Sequence, residues 1–72
     1  MVEDPAVWLE AFGRQAVALR REQGLSQQAL AHAAGLDPTY LSGVEQGRRN
    51  LGLVNIHRLA AALDVSPAAF FP

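Results

Sequence analysis

One device occurs three times in this chain and sets its class. Asp4-Pro5, Asp37-Pro38 and Ser66-Pro67 each place a short acceptor side chain directly before a proline. Proline inside a helix removes a hydrogen bond and collides with the preceding turn. At the first helical position, however, its missing N–H would have had no partner anyway. The Asp or Ser in front of it can accept from the free N–H groups of the first turn. The pattern predicts helix starts at Pro5, Pro38 and Pro67, and Ser26 predicts another without a proline.

The apolar residues that follow keep helical spacing. Beyond Pro5, Leu9, Phe12, Ala16 and Leu19 share a face, with Gly13 a weak point in mid-helix. Gln23-Gly24 ends that helix, since glycine readily takes the left-handed conformation of a helix stop. After Ser26, Leu30, Ala31 and Ala34 point inward, and Gly35 closes the helix. The next runs from about Pro38 to Gln46, turns Leu41 and Val44 inward and stops at Gly47. A fourth is expected behind a Gly52 cap, with Leu53, Ile56, Leu59, Ala60 and Leu63 as its core stripe. A short fifth, "SPAAFF", supplies Phe70 and Phe71. No apolar alternation bounded by hairpin turns predicts a strand. The expectation is one compact all-α domain of five helices over residues 1–72, with residues 1–4 a short frayed extension.

The totals narrow the function. With 72 residues, half of them apolar, the chain can bury one small core, a size often helped by oligomerisation. It has no Cys, which excludes disulfides and thiolate metal sites. The opening "MVEDPAVWLE" lacks the cationic lead-in of a secretory signal, and no apolar run reaches membrane-spanning length. A cytoplasmic protein without membrane contact is expected. His32 and His57 fall on different helices with no ligand cluster, so no metal or other cofactor is expected. Ser26 has no activating base and reads as a cap. No nucleophile, base and stabiliser come together, so neither an enzyme nor a small-molecule site is indicated. The net charge is -1, with all six basic residues Arg. Any contact with phosphate must therefore be local.

The centre of the chain carries the function. A helix of about Gln27 to Ala34 meets the helix beginning at Pro38 through a short turn containing Gly35. Two helices so joined form a helix-turn-helix, whose second helix can enter the major groove of DNA. The run "LSQQALAHAAGLDPTYLSGVEQGRRN" resembles the Xre family of phage Cro and repressor-type helix-turn-helix domains. Its markers are Leu25, Gln27, Leu30, Ala31, Gly35, Leu41, Glu45, Gly47 and the later "LAAALDV", and the likeness extends from about Phe12 to Phe71. Within the family, "TYLSGVEQGRRN" followed by "LVNIHRLAAALDV" is most similar to the controller proteins of restriction–modification systems.

The resemblance implies a sequence-specific transcription regulator that binds double-stranded DNA as a homodimer. It implies backbone contacts from Gln27, Arg48, Arg49 and Asn50, and base contacts from Thr39, Ser42 and Tyr40. Tyr40 is equally suited to packing its ring on the core. Arg20 and Glu45 are implied to form an ion pair between the first and third helices. Two positions depart from the family pattern. Pro38 and Gly43 stand where relatives often place base-reading side chains, so DNA shape is expected to share in specificity. A weaker stripe of Val54, His57 and Ala61, extended by Leu51, Phe70 or Phe71, is the expected dimer face, the alternative being that the terminal Phe residues fold back into their own core. The competing reading is a protein-interaction or antitoxin-like module on the same fold, favoured by the acidic net charge.

Overall fold

The computed structural model describes residues 4–72. Its elements are α1 (Pro5–Glu22), α2 (Gln27–Ala34), α3 (Pro38–Glu45), α4 (Leu53–Leu63) and a 3-10 turn (Pro67–Phe70). Four of the five starts follow from a side-chain cap, while α4 begins after Gly52 with none. The Asp4 carboxylate accepts from the Ala6 N–H at 2.9 Å, and the Ser26 hydroxyl from the Ala29 N–H at 3.0 Å. Asp37 accepts from the N–H groups of Thr39 and Tyr40, and Ser66 from that of Ala68. Asp4 is thus the cap of α1 rather than part of a frayed extension; residues 1–3 of that extension lie outside the described residues.

The all-helical expectation stands among the described residues, with one correction. The fifth element is a four-residue 3-10 turn, so there are four α-helices. Its length is the reason: four residues close a tight i to i+3 turn but cannot build the ladder of an α-helix. Phe71 then leaves the helical region, at φ -128 and ψ 63.

Leu30 and Ala31 of α2, Leu41 and Val44 of α3, and Leu59 and Leu63 of α4 are almost wholly buried, with Ala16 of α1 beside them. α2 packs against both α3 and α4, and α1 lies across α3. The last crossing is close. A Cβ on Gly13 would stand 2.6 Å from the backbone oxygens of both Val44 and Glu45. The glycine that weakens α1 locally is what lets α3 approach it.

Packing corrects three of the expected assignments. Leu51 and Phe70 are core residues, 7% and 2% exposed, so neither extends the exposed strip of α4. Phe70 is held by the Phe12 ring, stacked at a centroid distance of 4.8 Å, and the Gln15 side chain donates to the carbonyl of neighbouring Ala69 at 2.9 Å. Leu53 leaves the core stripe, at 71% exposed. As the first residue of α4 it lies at the margin of the inward arc that Leu59, Ala60 and Leu63 define. No glycine closes α4; Asp64 takes the left-handed position there, at φ 54. A short polar side chain is among the few that tolerate this conformation.

Candidate nucleic-acid interface

α2 and α3 are joined by a turn that only a left-handed residue can make. Gly35 has φ 71, and the Leu36 N–H returns to the Ala31 carbonyl at 2.8 Å. Leu36 packs against the core, and Asp37 then starts α3. With 3.6 residues per turn and Leu41, Val44 and Glu45 buried, the outward side of α3 falls to Thr39, Ser42, Gly43 and Gln46. Thr39 is exposed, while Ser42 and Gly43 are half-buried.

The polar groups of this face are partly organised already. The Gln46 amide donates to the Ser42 hydroxyl at 3.0 Å. Gln46 was missed in the sequence reading. Its signal was the i to i+4 spacing from Ser42 and the surface position one turn past it. Asp37 occupies the front of α3: one carboxylate oxygen takes both first-turn N–H groups, at 2.7 and 3.2 Å. Those donors are consequently satisfied within the chain.

The loop behind α3 is tied back to it. Gly47, at φ 76, reverses the chain, and the Arg48 N–H donates to the Gly43 carbonyl at 2.8 Å. The Tyr40 ring packs against the core, and its hydroxyl donates to the Asn50 carbonyl at 2.9 Å. The Tyr40 proton therefore serves the loop in this arrangement. Arg48, Arg49 and Asn50 are all exposed beside the outward face of α3.

Beneath the face sits the expected ion pair. Arg20 Nε donates to one Glu45 carboxylate oxygen at 2.8 Å, and a second guanidinium N–H donates to the other at 3.0 Å. The two side chains are 12% and 3% exposed. The third guanidinium nitrogen donates to the Leu25 carbonyl at 2.9 Å. Gln27 completes the cluster by donating to Glu45 at 2.7 Å. Glu45 is thereby neutralised and fully bonded at the base of α3, and part of the Gln27 amide is turned toward it. Charge-assisted bonds of this kind are the strongest a side chain makes. They lock α1, the start of α2 and α3 as one unit.

The remaining surface residues divide by chemistry. Val54, His57 and Ala61 are exposed on the outer side of α4, with the His57 Nδ1 2.9 Å from the Leu53 carbonyl. Leu53 and Val54 are 71% and 66% exposed, and Phe71 is 61% exposed beside Phe12. His32 is exposed on α2. No helix among the described residues is long and apolar enough to cross a membrane.

Comparison with known proteins agrees with this geometry. A family model described as helix-turn-helix matches residues 18–70. The control protein C.MunI of a Mycoplasma species is 39% identical over 61 residues, 83% of this chain and 82% of that protein. A hypothetical transcription factor of Neisseria meningitidis is 51% identical over 47 residues, 65% of this chain; the match spans 44% of that protein's length. The crystal structure of the restriction–modification controller protein C.AhdI from Aeromonas hydrophila superposes with a TM-score of 0.89 at 49% identity. That superposition covers 90% of this chain and 98% of that one.

Proposed function

From the premise that the chain belongs to the helix-turn-helix family of the Cro and repressor type, we propose that it is a DNA-binding transcription regulator of the controller kind, acting as a homodimer on two half-sites. The observation that carries this reading is the outward face of α3. It is polar, surface-accessible and backed by a buried ion pair that fixes its angle to α1 and α2. A rigid helix with one free polar face is what the major groove admits.

The roles divide by position. Thr39 and Ser42 meet base edges. Tyr40 braces the loop and reaches a base only by releasing Asn50. Arg48 and Asn50 hold the phosphate backbone, joined by the unengaged part of the Gln27 amide. A single module of this size buries little surface on DNA, so two copies are needed for tight binding. The outer side of α4 supports the pairing, because Leu53 and Val54 with His57 and Ala61 give an apolar strip that a monomer leaves in water. Phe71 is the one member of the expected C-terminal extension that remains on the surface. Two-fold pairing then sets the two α3 helices about 34–36 Å apart, one turn of DNA.

The test is selection of bound sites from random duplex DNA, followed by titration of the selected site at low and moderate salt. A palindromic site, two chains per duplex and a steep fall of affinity with salt are expected. Weak, salt-insensitive binding without a preferred sequence would reject the reading and favour the protein-interaction module.

A further inference from the structure

A hollow of about 310 Å³ opens between the front of α1, the loop behind α3 and the C-terminal residues. Its wall is largely aromatic. Trp8 and Phe12 stand one turn apart on α1, and the Phe71 ring meets Phe12 at a centroid distance of 5.6 Å. Trp8 is 54% exposed, so the chain leaves much of its largest ring in water. Two polar residues belong to the same lining, Arg49 and Asn50. Tyr40 takes the Asn50 carbonyl, but among the described residues neither the Asn50 amide nor the Arg49 guanidinium has a hydrogen-bond or ionic partner. No acidic residue lines the hollow among the described residues; Glu10 of α1 lies against Gly47 instead. The strip assigned to pairing, Leu53, Val54, His57 and Ala61, lies outside it as well.

An apolar recess with one or two convergent polar groups is the usual make-up of a small-molecule site, and this volume lies at the small end of such sites. We infer that the hollow binds a small aryl carboxylate, its ring against Trp8, Phe12 and Phe71 and its carboxylate on Arg49 and the Asn50 amide. The guanidinium fork matches a carboxylate with two parallel bonds, and the flat rings offer stacking faces to another ring. The site is coupled to α3. A Cβ built on Gly43 would lie 2.6 Å from the Arg49 Cγ and 3.7 Å from its Cβ and Cδ. The Arg49 stem therefore runs beside the outward side of α3, and the residue belongs to the hollow and to the DNA-facing surface at once. Resting on the DNA-binding reading above, the consequence is regulatory: a carboxylate on Arg49 withdraws its charge from DNA, so the ligand lowers operator affinity.

Trp8 is the single tryptophan of the chain and reports the hollow directly. The experiment titrates 3-phenylpropanoate, and separately the neutral 3-phenylpropanamide, into the full chain while Trp8 emission is followed. The proteins are the wild type, Arg49→Ala and Arg14→Ala, each first checked for an unchanged thermal midpoint. The carboxylate should half-saturate the wild type at ~0.1 mM. The amide and Arg49→Ala should each weaken binding ~10-fold or more, the loss of a charge-assisted pair. Arg14 lies beside the same rings but outside this hollow, and Arg14→Ala should bind as the wild type does. Saturating carboxylate should weaken operator binding of the wild type and leave that of Arg49→Ala unchanged. By reciprocity, operator DNA should weaken the carboxylate by the same factor. The inference is overturned if Trp8 emission does not respond, if acid and amide bind alike, or if Arg14→Ala loses as much as Arg49→Ala. It is also overturned if the carboxylate shifts the chain between monomer and dimer and Trp8 emission changes with protein concentration alone, since the hollow then receives a second copy. A wild type that selects no DNA sequence would remove the regulatory consequence, while the emission titration would still decide the site.

Discussion

Gly13→Ala tests whether local propensity or tertiary contact decides stability at the crossing of α1 and α3. Considered as a helix residue alone, Gly13 is a defect, and alanine should stabilise α1 by about 1 kcal/mol. The structure reverses the sign. The added methyl would stand 2.6 Å from the carbonyl oxygens of Val44 and Glu45, where ordinary contact begins at 3.4 Å, so α1 and α3 must part by about 0.8 Å. Both obstructing atoms are backbone, and neither can turn aside as a side chain would. Overpacking of this kind costs about 1–3 kcal/mol, here towards the upper end. Set against the helix gain, the net expectation is a loss of ~1–2 kcal/mol. In a domain this small, each kcal/mol lowers the melting temperature by about 4–8 °C. Thermal and urea unfolding at fixed protein concentration measure it, the concentration being held because pairing would contribute to apparent stability. The same separation would pull on the Arg20–Glu45 pair, so DNA affinity should fall as well. A variant as stable as the wild type, or more so, would refute the reasoning and show that helix propensity governs the site.

Four further outcomes are expected. Arg20→Ala leaves the Glu45 carboxylate buried without its two charge-assisted bonds and should lose ~3–5 kcal/mol in urea unfolding; unfolding at the wild-type midpoint would show the pair to be idle. Phe70→Ala removes a 2%-exposed ring stacked on Phe12 and should cost ~3–5 kcal/mol by the same assay, whereas a small effect would mean the C-terminal turn contributes little to the core. On DNA, Arg48→Ala should weaken binding to every sequence and shallow the salt dependence by roughly one unit. Thr39→Ala should relax preference at one position per half-site, by at most ~1–3 kcal/mol, with the slope unchanged. The reverse pattern in competition titrations would exchange the two roles.

What could be read from the chain without its fold was whatever depends on neighbours a few residues apart. Asp4, Ser26, Asp37 and Ser66 cap helix starts because an acceptor needs only the N–H groups two or three positions on. The turn at Gly35 and the outward placement of Thr39 and Ser42 follow from the same short range. The Arg20–Glu45 pair was legible only through the family resemblance, since the partners are 25 residues apart. Tertiary structure decided everything that needs distant atoms in place. Spacing made Leu53 a core candidate and left Phe70 open to either a dimer face or its own core; only the helices they meet settled both. Gln27 turns to Glu45, 18 residues away, and Gln15 holds the carbonyl of Ala69, 54 away. Neither bond leaves a trace in periodicity. Glycine shows the division most plainly. In sequence it signals only the absence of a side chain, at Gly13 and Gly43 alike. Its meaning lies in what enters the space, two backbone carbonyls at one and an arginine stem at the other, and that is decided by how the helices and the loop pack.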